Sequence, residues 1–89
     1  MMEVKIASRT CSDELGRPRT FHYALMVDMV ETGTFTCENY GVRISEEQGD
    51  TASIPGITTS ALRIDELITL LVEHGVGPAS LRDVVDDWL

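Results

Sequence analysis

Three aspartates, Asp83, Asp86 and Asp87, stand close together near the end of the sequence, and carboxylates at that density can hold a hard cation or meet a basic partner. A calcium-like ion wants about six convergent oxygens in a tight cage. Neighbouring aspartates on one exposed helix face converge poorly, so no metal is expected there. The end of a helix is also the negative end of its dipole, which disfavours acids. Arg82 precedes Asp86 by one turn, but basic-before-acidic is the weaker orientation for such a pair. Two readings follow. One is a solvated acidic face answered by Lys5, Arg9, Arg17 or Arg19; the other is a docking surface for a basic partner.

Arg17 and Arg19 bracket Pro18 and make the one local basic concentration in the chain. Their guanidiniums could hold a phosphate or carboxylate, or simply keep a turn soluble by pairing with Asp13 and Glu14. His22 and His74 are the two imidazoles, and Cys11 and Cys37 the two thiols. Their separations match no zinc-ligand spacing. His22 lies between Phe21 and Tyr23, so on a strand it faces with Ala24 and Met26; general-base duty needs a positioned neighbour, and the sequence offers none. His74 reads as a helix-end histidine. No Gly-rich phosphate loop, G-x-S-x-G or H-E-x-x-H is present. The sequence therefore nominates no catalytic residue and no cofactor.

The elements that must position these groups are clearest in the last third. Thr59 or Ser60 can cap a helix whose apolar stripe is Ile64, Leu67, Ile68, Leu71 and Val72, widened by Leu70. Asp65 and Glu66 fall early enough to favour its positive end. His74 and Gly75 close it. Pro78 suits the first position of a second helix running to the chain end. Leu81, Val84, Val85 and Trp88 share one face of that helix, with Asp83, Asp86 and Asp87 on the other. Trp88 either pins the last turn to the core or, with Leu89, anchors an interface.

Upstream the period changes to two. Residues 3–10 alternate, with Val4 and Ile6 on one face and Lys5 and Arg9 on the other, as in a half-buried strand. "SDELGRP" is a turn. Phe21, Tyr23, Leu25, Val27 and Met29 then mark a long strand, the best candidate for the centre of a sheet. After a turn at Gly33, Tyr40, Val42 and Ile44 repeat the period while Phe35 and Cys37 sit in the opposite phase, which suggests a bulge near residues 39–41. Residues 51–58 contain Pro55, which cannot donate to a ladder, and read as a short irregular edge strand. The whole predicts an α+β fold: an antiparallel meander of three to four strands over residues 1–58, followed by two C-terminal helices over 59–89 packed on one face.

At 89 residues the chain is expected to form one domain, of a size that buries only about 60–65% of the unfolded surface. A homodimer would add buried area. The net charge of −8 argues against direct binding to nucleic acid or to an anionic membrane surface. The longest apolar run, "LITLLV", is far short of a membrane span. Two cysteines outside any C-x-x-C arrangement, and no basic-then-apolar leader, lead us to expect a reduced, cytoplasmic protein.

"YGVRI", "GITTS" and above all "VGPASLRDVVDDWL" resemble a family of short uncharacterised proteins from Gram-positive, clostridia-like bacteria, classed as a domain of unknown function. The resemblance implies a bacterial, cytoplasmic origin and supplies no catalytic residues. The function expected from the residues is a non-enzymatic interaction or regulatory module with a protein partner. Its candidate contact residues are Asp83, Asp86, Asp87, Trp88, Arg17 and Arg19. The alternative is a small-molecule-binding domain or small enzyme with a pocket between sheet and helices, using His22, Glu38 or Arg19. A third reading is an acidic mimic of nucleic acid.

Overall fold

The computed structural model describes residues 2–89, and for Thr32 its backbone alone. Four strands, β1 (Met2–Ser12), β2 (Pro18–Thr32), β3 (Phe35–Glu46) and β4 (Thr51–Thr58), form one antiparallel sheet in the order β1-β2-β3-β4. Two helices follow, α1 (Ala61–Glu73) and α2 (Leu81–Trp88), joined through a 3-10 turn at Pro78–Ser80. The α+β meander with a C-terminal helical pair is thus the observed architecture. The second helical segment starts at Pro78 as expected, but its first turn is 3-10 and the α-helix proper begins at Leu81. Proline sets the first φ, and the chain makes one tight 3-10 turn before widening into α2.

The core forms where the alternating face of the central strands meets the helical stripes. Phe21 and Tyr23 of β2, Val42 and Ile44 of β3, Ile64, Leu67, Ile68 and Leu71 of α1, and Leu81 and Val85 of α2 are buried together. Each such side chain contributes about 1.5–3 kcal/mol when fully buried. Ser60 caps α1 by accepting from the Arg63 N–H at 3.2 Å, and Gly75 takes φ +60° just beyond the helix. Asp65 and Glu66 fall past the first turn, so they do not add to the cap. The Tyr23 hydroxyl donates to the Val76 carbonyl at 2.8 Å, tying β2 to the segment between the helices.

Two register shifts depart from the alternation. Lys5 pairs with Ala24 and Ala7 with Tyr23, so Ile6 is an extra residue in β1. This bulge turns the strand's later residues over. Arg9 lies opposite Phe21, on the helix side with Val4, not on the far side with Lys5. The bulge expected near residues 39–41 does not occur between β2 and β3, whose pairing runs unbroken from Phe21↔Glu46 to Thr32↔Phe35. The opposite phase of Phe35 and Cys37 is real and places them on the face away from the helices. The shift at that level is instead against β4, where Tyr40 pairs with Thr58 and Val42 with Ile54. Pro55 and Gly56 lie in the extra length of β4, and a Cβ on Gly41 would come within 2.7 Å of the Pro55 Cα.

β1 is not half-buried. No residue of β1 belongs to the buried core cluster, and Met2, Val4 and Ile6 are 59%, 41% and 49% exposed. On the face away from the helices, Ala24 and Met26 of β2 are nonetheless buried. Glu3 of β1 and Arg43 of β3 form an ion pair at 2.8 Å that bridges across the intervening strand beside them.

Candidate interaction site at the outer strand

The sheet has two edges, and they differ. β4 carries Pro55 and the register shift at Gly56, features that blunt an edge, and packs alongside α2 and the 3-10 turn. β1 is the other edge. Over Met2–Ile6 it offers unpaired backbone polar groups on one side and three exposed apolar side chains toward the helix face. Between this strand and α1 lies a cleft of about 320 Å³, floored by Leu25 and Val27 and walled by Met2, Ile6, Ile64 and Ile68. Its polar mouth is Glu38, Tyr40 and Asp65. The Tyr40 hydroxyl donates to the Glu38 carboxylate at 2.6 Å, and this hydrogen bond, with some burial, raises the phenol above its ordinary value.

A chain of side-chain contacts fixes how β1 sits. Arg9 donates from Nη1 to the Val72 carbonyl at 2.7 Å and the Glu73 carbonyl at 2.5 Å, satisfying the C-terminal end of α1. On the opposite face Ser8 Oγ lies 2.8 Å from His22 Nδ1, a neighbour that the sequence did not offer. Register places Ser45 beside His22 on the third strand. The group lies on an exposed sheet face, at the rim of a shallow depression of about 410 Å³ shared with Glu3 and Lys5.

The residues nominated from the sequence do not come together. Arg17 pairs with Asp13 at 3.2 Å, whose carboxyl the Arg17 backbone N–H holds below the usual range. Arg19 pairs with Glu46 instead, through Nε at 2.5 Å and Nη2 at 2.7 Å, which lowers the glutamate and raises the guanidinium. Trp88 packs partly buried on the core with the Arg63 guanidinium 4.4 Å from its ring centroid. Asp83, Asp86 and Asp87 are exposed on the outer side of α2, in no ion pair among the described residues. Lys5, Arg9, Arg17 and Arg19 do not answer them. Cys11 and Cys37 are free thiols opposite Arg19 and Val30, at opposite ends of β2. Among the described residues no cluster of three or more His, Cys, Asp or Glu side chains forms a metal-binding group. No helix there is long and apolar enough to cross a membrane.

The model of the family of unknown function DUF6514 matches residues 2–89. The chain belongs to this family. The match runs from the first residue of β1 to the last of the chain, so it covers all four strands and both helices. No curated protein and no solved structure matches the chain.

Proposed function

We propose that the chain is a non-enzymatic protein-interaction module whose docking element is the free edge of β1 with the apolar cleft beside it. The observation that carries this is a coincidence of position. The stretch Met2–Ile6 has an open backbone edge and also holds three of the chain's exposed large apolar side chains. An extended strand added there gains main-chain hydrogen bonds, and its alternate side chains reach the apolar face. The acidic outer side of α2 and the net charge of −8 favour neutral or basic partners over nucleic acid. Free cysteines suit the reducing, cytoplasmic, bacterial setting that the sequence suggests.

The test is hydrogen exchange on the protein mixed with a synthetic eight-residue peptide of alternating Thr and Val. Slower exchange confined to the β1 amides, with NMR shifts at Met2, Ile6 and Ile68, supports edge docking. Unchanged β1 amides, or shifts confined to Asp83, Asp86 and Asp87, reject it in favour of the acidic helix. An enzyme reading rests on the Ser8–His22 pair; it gains ground only if an ester probe labels Ser8 and H22A abolishes the labelling.

A further inference from the structure

We infer that the partner of the β1 edge is a second copy of this chain, paired antiparallel about a two-fold axis at Val4. The inference rests on the edge-docking reading above and adds the identity and register of what docks. Around Val4 the residues run Met2, Glu3, Val4, Lys5, Ile6: apolar, acid, apolar, base, apolar. Antiparallel pairing of this stretch with itself sets residue i opposite residue 8 − i. Glu3 then meets Lys5 of the second copy, Lys5 meets its Glu3, Met2 meets Ile6, and the two Val4 side chains meet on the axis. Opposite charges and apolar pairs set directly across two strands stabilise a sheet, and like charges do the reverse.

The neighbouring registers fail on the same criterion. An axis at Glu3 sets two carboxylates face to face, and an axis at Lys5 sets two ammoniums. A register that opposes Val4 to Glu3 or Lys5 would need the second copy's helices on the other face of the sheet, which no two-fold axis normal to the sheet provides. Glu3 is already placed for the pairing. Its Oε2 accepts from Arg43 at 2.8 Å, which leaves Oε1 for an ammonium from the outer side. Lys5 is exposed and in no ion pair among the described residues. Pairing would complete a row of alternating charge from Lys5 of one copy through Glu3 to Arg43 of the other.

The bulge at Ile6 sets the extent. Beyond it the strand turns over, so the shared ladder is confined to Met2–Ile6, and a two-fold pairing uses both β1 edges and closes. So short a ladder falls below the area of a standard stable interface, and the dimer is a weak, reversible one.

Sedimentation equilibrium of the full chain, at low and high salt, tests it with wild type, K5E and E3K/K5E. The expected result is a concentration-dependent dimer in wild type. K5E opposes two carboxylates on each side of the Val4 axis and weakens dimerisation roughly tenfold or more at low salt, less at high salt. E3K/K5E reverses both signs and restores affinity to within about threefold. Thermal melts confirm that each variant is folded, since E3K also gives up the Arg43 pair. A wild type that stays monomeric to about 1 mM, or a dimer indifferent to K5E, overturns the inference. The two claims separate cleanly. A monomer whose β1 amides are still protected by the Thr-Val peptide keeps edge docking and removes self-pairing; a dimer with unprotected β1 amides removes both.

Discussion

Arg9 hydrogen-bonds the Val72 carbonyl at 2.7 Å and so joins the outermost strand of the sheet to the last turn of α1. β1 contributes nothing to the buried core, which makes this contact the main tie between that strand and the helical layer. R9A removes both bonds to the helix end and is expected to cost about 1 kcal/mol of stability. R9K keeps the charge at the negative end of the dipole, and since both bonds come from the single nitrogen Nη1 a shorter ammonium side chain recovers part of the loss. Urea unfolding measures the energy. Hydrogen exchange should localise the loosening to β1 and the last turn of α1.

Tyr23 is fully buried, and its hydroxyl satisfies the Val76 carbonyl. Y23F leaves that carbonyl without its donor and is expected to destabilise by about 1–2 kcal/mol. Burial raises the phenol above its ordinary value, so ionisation is harder in the folded state. Below about pH 10 both states hold the proton and the contribution is complete. As pH rises, the unfolded tyrosine ionises first, and stability is lost as pH passes through the raised folded value. A urea-midpoint series against pH should show this alkaline decline in wild type and a shallower one in Y23F.

The acid side has the opposite sign. The Arg17 backbone N–H lowers Asp13, and the Arg19 side chain lowers Glu46. Their contributions are present above the ordinary carboxylate range, about pH 4, and are lost as pH falls through the depressed folded values. D13N and E46Q should each flatten the decline in melting temperature below that range. Both carboxylates are close to solvent, so added salt should shrink the effect in wild type.

How much of this was legible beforehand follows from where the signal lies. The apolar periods of residues 21–29 and 64–72 are set by the core itself, because Tyr23, Leu67 and Leu71 must be buried on one side. Both therefore read directly as strand and helix. Edge position leaves no such mark: Val4 and Ile6 alternate with Lys5 as they would in a half-buried strand, yet both stay outside the buried core. The bulge at Ile6 is equally silent, and unbroken alternation places Arg9 on the wrong face. The Ser8–His22 and Arg19–Glu46 pairs depend on hairpin register, which composition does not encode. Pro55 was the exception, since a residue without an N–H announces an edge by its chemistry.

The extra residue Ile6 yields the last prediction. Between Lys5↔Ala24 and Ala7↔Tyr23 it has no partner of its own, and it bends β1 midway along an otherwise open edge. Bulges of this kind limit strand addition by twisting an edge out of line. Deleting Ile6 joins Lys5 to Ala7 in a regular ladder, with Val4 and Arg9 kept on their faces, so the Arg9 tie to α1 survives. The fold should therefore persist, with a melting temperature close to wild type. The edge, however, becomes flat and continuous from Met2 to Ser12. Self-association should strengthen, with a dissociation constant at least about tenfold lower, because the two-fold axis can then move along the strand to near Ala7 and open two or three more ladder pairs than an axis at Val4 allows. Light scattering of the deletion and wild type across concentration measures this. An unchanged association would mean that the bulge does not guard the edge, and that some other feature of residues 7–12 keeps partners away.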